Sequence, residues 1–259
     1  MSVFEKGSLI PANKRILFLG DSITVDGRYI GLMDYYLKKY QPDHDIELIN
    51  LGLGSETASG LSEPSHPFPR PCVLDRIDQV LELTKSEWVV ICYGINDGIY
   101  YPYSEERMEA YQKGIRRLVG KIKADGAKVV VMTPPPFDNV SFVGKLWPDD
   151  REEYSWMDAY EGYNGVIKRY RDWIVTDLRS EVDYVIDIFT PITIAINAKR
   201  EKDPFYRTGD GIHPDLEGHW IMARCLLAEI FHIYPEFEPE YIEKLTSAVE
   251  LVMKRHNHA

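Results

Sequence analysis

Short apolar runs rich in β-branched residues recur along the chain, each followed by a stretch in which apolar positions return every three or four residues. Residues 15–19, 45–51, 88–93, 128–132 and 184–188 carry the first pattern and are predicted strands. Residues 29–40, 71–83, 104–124, 154–180 and 215–231 carry the second and are predicted helices. The runs are apolar throughout rather than alternating, as in strands buried on both faces, so the pattern predicts an α/β fold with a parallel sheet covered by helices. Ser104 followed by Glu105 and Glu106 supplies a cap and two acids to the start of one helix, and Pro214 suits the first position of another. No Gly/Ser linker, repeat or low-complexity tract divides the chain, which is read as a single domain over residues 1–259. Ile242, Leu245, Val249 and Val252 predict a C-terminal helix at about 238–256, packed on its own domain or forming the seam of a homo-oligomer.

Composition narrows the function classes. At 259 residues, 44% hydrophobic and 27% charged, the chain is of ordinary globular make-up and long enough for a continuous core. Its 41 acidic against 30 basic residues give a formal net charge of −11, which opposes nucleic acid and anionic lipid. No apolar run approaches the roughly 18 residues of a membrane-spanning helix. The first 13 residues, with Glu5 before Lys6, lack a sustained apolar stretch, so a cytoplasmic location is expected. Cys72, Cys92 and Cys225 are odd in number and widely spaced; they are read as reduced core thiols and not as zinc ligands, since no C-x-x-C or H-E-x-x-H spacing exists.

In an open parallel sheet ligands bind beyond the carboxyl ends of the strands, so the residues just after each apolar run carry the chemistry. The first strand ends in Gly20-Asp21-Ser22-Ile23-Thr24, where a serine at a strand-to-helix turn can expose both its hydroxyl and its N–H above the sheet. The third ends in Tyr93-Gly94-Ile95-Asn96-Asp97-Gly98, and the Asn96 carboxamide can donate to a developing oxyanion without changing charge. Near the C-terminus stands Asp210-Gly211-Ile212-His213-Pro214, in which the carboxylate can hold Nδ1–H of the imidazole while Nε2 faces a serine. Each segment alone is also an ordinary turn or cap. His219 is read as a packing or surface residue, and His66 lies in a loop that can border the site.

Taken together, in the order Ser, Asn, Asp, His, these segments resemble the blocks of the SGNH hydrolases, also called GDSL esterases and lipases. Gly20-Asp21-Ser22-Ile23 is similar to the first block, Gly94-Ile95-Asn96-Asp97 to the third and Asp210-Gly211-Ile212-His213 to the last. After the second strand the family has a glycine whose N–H completes the oxyanion hole. Here Asn50-Leu51-Gly52-Leu53-Gly54-Ser55-Glu56-Thr57 puts Ser55 at that place with Gly54 before it, leaving open which of the two donates. Gly52-x-Gly54 also resembles the start of a dinucleotide fingerprint, but position 57 is not glycine.

The resemblance implies a three-layer α/β/α sandwich, flavodoxin-like, with a five-stranded parallel sheet of order 2-1-3-4-5. It implies acyl-ester hydrolysis with no metal and no organic cofactor, through Ser22, Asp210 and His213. Ser22, Gly54 or Ser55, and Asn96 then form the oxyanion hole. Tyr93, Tyr100, Tyr101 and Tyr103, with Phe137, Phe142, Trp147, Tyr154 and Trp156, populate loops near this edge. Those that do not simply pack the loops can stack on a sugar ring, which suggests a short acyl group, such as O-acetyl, on a carbohydrate or other small molecule. The family also contains lysophospholipases, thioesterases and acyltransferases. A non-catalytic binding module on the same fold and an unrelated phosphate- or nucleotide-binding protein are the competing readings.

Overall fold

The computed structural model describes residues 14–238, so the N-terminal 13 residues and the helix expected at about 238–256 lie outside the described residues. The elements are β1 (Arg15–Gly20), α1 (Ser22–Asp26), α2 (Arg28–Tyr40), β2 (Glu47–Asn50), α3 (Ile77–Thr84), β3 (Trp88–Cys92), α4 (Glu105–Ala124) and β4 (Lys128–Met132). There follow β5 (Lys145–Trp147), β6 (Asp158–Tyr160), α5 (Tyr163–Thr176), β7 (Tyr184–Ile186), α6 (Phe189–Arg200) and α7 (Leu216–Phe231). Five parallel strands form one sheet in the order β2-β1-β3-β4-β7, flanked by helices. Counted within the sheet, this is the expected order 2-1-3-4-5.

The apolar runs explain which strands are central. β3 is buried at every position and β1 at all but Arg15, whereas edge strand β2 is only partly covered. The register sets Gly20 beside Cys92 and Cys92 beside Met132, so the carboxyl ends of the three central strands are level. The chain leaves β1 toward β2 on one side and returns to β3 on the other. The loops after β1 and β3 therefore diverge at this edge and open a crevice between them. Helix α2 packs along α7, and α3 along α4. Ser104 caps α4 by accepting the Arg107 N–H at 3.1 Å, with Glu105 and Glu106 in its first turn and Lys121 and Lys123 in its last, as the helix dipole favours. All three cysteines are free, but of the expected core thiols only Cys92, in β3, is buried, and burial pushes its thiol well up; Cys72, in the bridge before α3, and Cys225, on α7, are only partly buried.

Several predicted elements need correction. The helix expected over 154–180 begins only at Tyr163, because Asp158–Tyr160 pairs in parallel with Lys145–Trp147 in a two-stranded ribbon and Gly162 separates that ribbon from the helix. The helix expected over 71–83 is delayed to Ile77. Pro71 O accepts from Thr57 N and Val73 N donates to Thr57 O, so these residues form a bridge before a 3₁₀ turn at Val73–Asp75. Pro214 does not open α7; Asp215 caps that helix by accepting from Gly218 N at 2.9 Å, which places the proline one residue outside. Helix α6 was not predicted, since Thr190, Ile192, Thr193, Ile194 and Ile196 read as β-branched strand formers around Pro191.

Candidate active site

The loop after β1 is short because α1 starts at once. Asp21 caps that helix by accepting the Ile23 N–H at 3.0 Å, which leaves Ser22 as the first helical residue with an N–H that no helical carbonyl can reach. Gly20 must be glycine here: a Cβ would lie 2.2 Å from Thr24 Oγ1 and 2.8 Å from Cys92 O. The second loop is stitched to this turn, as Leu53 N donates to Gly20 O at 2.9 Å and the Asn50 carboxamide donates to Thr24 O at 2.7 Å.

The His213 loop organises itself. Asp210 Oδ1 accepts the backbone N–H groups of Ile212 and His213 at 2.9 and 2.7 Å, while its Oδ2 accepts from His213 Nδ1 at 2.8 Å. With Nδ1 thus protonated, Nε2 is the accepting nitrogen, and it lies 2.7 Å from Ser22 Oγ. Gly211, at φ 91°, lets this loop pass the backbone of Phe142, which a Cβ would approach to 2.5 Å. The Asp210 hydrogen bond raises the His213 imidazole above its ordinary value against the opposing effect of burial. Burial pushes the Asp210 carboxyl up, but its hydrogen bonds from the His213 ring and backbone prevail and hold it at about 2. Asp21, fully buried, is pushed up to about 7 by burial.

Asn96 is buried at the third loop. Its Nδ2 donates to Glu56 O at 3.3 Å and its Oδ1 accepts from the Tyr100 hydroxyl at 3.0 Å, so the amide plane is fixed from both ends and its second N–H is left over. Ser55 stands at φ 62°, the left-handed region that favours glycine, whereas Gly54 is not at positive φ and has open space where a Cβ would be. Neither backbone N–H of this pair has an acceptor among the described residues.

These groups border one cleft of about 260 Å³, lined by Ser22, Gly54, Ser55, His66, Pro67, Phe68, Arg70, Asn96, Tyr100, Trp156, Ile212 and His213. Every residue assigned to the site from sequence is therefore brought to it except Asp210, which stands behind His213 as an orienting residue should. Of the nine loop aromatics only Tyr100 and Trp156 line the cleft. Tyr93 instead donates to the buried Glu56 carboxylate at 2.6 Å, Tyr101 packs edge-on to Tyr154, and Phe137 packs with Phe142 and Tyr163. His66 does border the site, its ring 4.6 Å from that of Phe68 and nearly perpendicular to it. His219 is a packing residue, buried against the Tyr29 ring; burial holds its imidazole down at about 4.

Arg70 and Glu63 escape the sequence reading, and Tyr100 and Asp97, though quoted in it, are given no part there in holding the site. Tyr100 orients Asn96, and it follows Ile99 in a pair of non-glycine residues at positive φ, 46° and 65°. Asp97, whose carboxyl burial pushes up to about 6, accepts from the N–H groups of Ala58 and Ser59 at 2.8 and 2.7 Å and so ties the second loop to the third. Arg70 and Glu63 form a buried ion pair at the cleft wall. The Pro-rich composition of residues 63–71 marked a loop but gave no sign of that pairing.

Among the described residues no group of three or more His, Cys, Asp or Glu side chains is arranged to hold a metal ion, and no helix is long and apolar enough to cross a membrane.

The sequence model of the GDSL-like lipase/acylhydrolase family matches residues 18–221. The chain is 23% identical over 245 residues to an acetylxylan esterase of Geobacillus stearothermophilus, covering 85% of this chain and 95% of that protein. A crystal structure of a catalytic mutant of an acetylxylan esterase from the same organism superimposes with a TM-score of 0.64 at 20% identity, over 88% of this chain and 99% of that one. A gut microbial diltiazem-metabolizing enzyme superimposes with a TM-score of 0.63 at 22% identity, over 85% of this chain and 47% of its own.

Proposed function

The chain belongs to the GDSL-like lipase/acylhydrolase family and is a carboxylic ester hydrolase; from that premise we propose that it cleaves short acyl esters, foremost O-acetyl groups on a carbohydrate or similar small molecule, through an acyl-enzyme on Ser22. The observation that carries this reading is the unbroken line Ser22 Oγ to His213 Nε2 at 2.7 Å and His213 Nδ1 to Asp210 Oδ2 at 2.8 Å. His213 Nε2 removes the Ser22 proton as Oγ attacks the ester carbonyl, and Asp210 keeps the ring in the right tautomer and stabilises the imidazolium that forms. The oxyanion that develops is met by the N–H of Ser22 at the start of α1, the spare Nδ2–H of Asn96 and the N–H of Ser55. Ser55 is preferred to its neighbour Gly54 because it is the residue in the left-handed conformation, at the place where the family has glycine. The protonated His213 then gives its proton to the leaving alkoxide, and it acts as base again when water attacks the acyl-enzyme.

The cleft supports this substrate preference. A volume of about 260 Å³ suits a small acyl group and part of an alcohol. The exposed rings of Phe68 and Trp156, with His66, give its rim flat apolar faces of the kind that stack on a sugar. The acetylxylan esterase similarity points the same way. An acyl-ester panel from acetate to long chain, including acetylated sugars, thioesters and lysophospholipid, tests the assignment. Acetyl esters are expected to be turned over fastest, with Ser22→Ala lowering kcat by at least ~10³-fold while the fold is retained. Preference for thioesters or long acyl chains would overturn the substrate class, and undiminished turnover by Ser22→Ala would overturn the mechanism.

A further inference from the structure

We propose that Arg70, anchored by Glu63, is a positioning residue that holds the loop-borne oxyanion donor Ser55 in place. The inference rests on the reading that Ser55 supplies that donor. Glu63 and Arg70 have side chains 0% and 2% exposed, and the carboxylate takes Nε and Nη2 of the guanidinium at 2.6 and 2.7 Å. Burying two charges is costly, and such a pair is readily replaced by apolar residues where stability alone is at stake. This pair stands at the cleft wall, and the guanidinium atoms left over point at the oxyanion machinery. Nη1 donates to Ser55 O at 3.3 Å, and the guanidinium carbon lies 5.6 Å from the centre of the Tyr100 ring, whose hydroxyl orients Asn96.

The Ser55 arm has a mechanical reason. A residue with a Cβ is strained at φ 62° and keeps that conformation only where its surroundings over-determine it. The next residue is already fixed, because the Glu56 carboxylate is held by Arg76 at 2.6 and 2.7 Å and by the Tyr93 hydroxyl at 2.6 Å. With the Ser55 carbonyl also held by Arg70, ψ and φ of Ser55 are the backbone rotations left between this frame and the Ser55 N–H. A glycine would need less help. A lysine at position 70 would keep a charge for Glu63 but, having one nitrogen, cannot pair with Glu63 in a fork and reach Ser55 O as well.

The test is a double-mutant cycle between Arg70→Lys and Ser55→Gly, read with p-nitrophenyl acetate. In the Ser55 background Arg70→Lys is expected to lower kcat by roughly 10- to 100-fold with KM changed by less than about 2-fold, as for loss of a transition-state donor. In the Ser55→Gly background, whatever its own activity, the same change is expected to cost about 3-fold or less, because glycine takes the left-handed conformation unaided. Equal losses in both backgrounds, or a loss confined to KM, would overturn the proposal. Fluorophosphonate labelling of Ser22 checks each variant for a folded, reactive nucleophile. If Arg70→Lys fails that check, the neutral pair Glu63→Gln with Arg70→Gln is run through the same cycle and judged by the same two ratios. Absence of Ser22 labelling in the unsubstituted protein would strike at the underlying esterase mechanism rather than at the strut.

Discussion

In the proposed mechanism the acid–base pair is built from four consecutive residues, whereas the loop-borne oxyanion donors, Ser55 and Asn96, stand 41 positions apart. Asp210 folds its own loop: one carboxylate oxygen takes two backbone N–H groups and the other takes the histidine ring. Ser55 and Asn96 cannot organise themselves in this way. Each depends on partners distant in sequence, Ser55 on Arg70 and Asn96 on Tyr100 and the Glu56 carbonyl. A proton-transfer pair can thus be carried as a compact sequence unit, while a set of converging donors needs the tertiary structure to aim it.

The largest effect is expected where the compact unit is broken. Asp210→Asn should lower kcat by about 10⁴-fold, since the ring loses the acceptor that fixes its tautomer. The sign of the pH effect follows from the same bond. In the proposed mechanism His213 works unprotonated, and its hydrogen bond to Asp210 raises it, so activity is expected to fall as pH drops through that raised value. The residual activity of Asp210→Asn should therefore show its acid limb at lower pH than the unsubstituted enzyme. A limb that stays where it was would show that another group controls it. On the dispersed side the losses should be graded. Asn96→Ala is expected to cost roughly 10²- to 10³-fold in kcat with little change in KM, and a pure KM effect would make it a substrate contact instead. Tyr100→Phe, which keeps the ring stacked 4.9 Å from Tyr163 and deletes only the donor to Asn96, should cost about 10-fold. A cost equal to that of Asn96→Ala would mean that the phenol itself touches the reacting ester.

The same division explains what could be read from the sequence. Gly20-Asp21-Ser22 and Asp210-Gly211-Ile212-His213 are legible because the local geometry of each is set by neighbours within three residues, and the first also closes a strongly apolar run. The three central strands are legible for the same reason. Arg70 is illegible as a partner of Ser55 because the two stand fifteen positions apart across a Pro-rich loop, and nothing local says that this serine adopts φ 62°. The aromatic periodicity over 154–162 mimics a helical face, yet those residues serve a ribbon and loop packing, as Tyr160 N donates to Tyr100 O at 2.9 Å. Helix α6 hides behind β-branched residues whose local preference is overridden by packing against the core.

The proposed mechanism requires Ser22 to be the nucleophile that His213 activates. The direct measurement is peptide mass spectrometry after reaction with a fluorophosphonate, on the unsubstituted protein and on His213→Ala. The expected result is a single adduct on Ser22 that forms rapidly in the first and at most slowly in the second. An adduct on another residue, or equal labelling of Ser22 with and without His213, would contradict it.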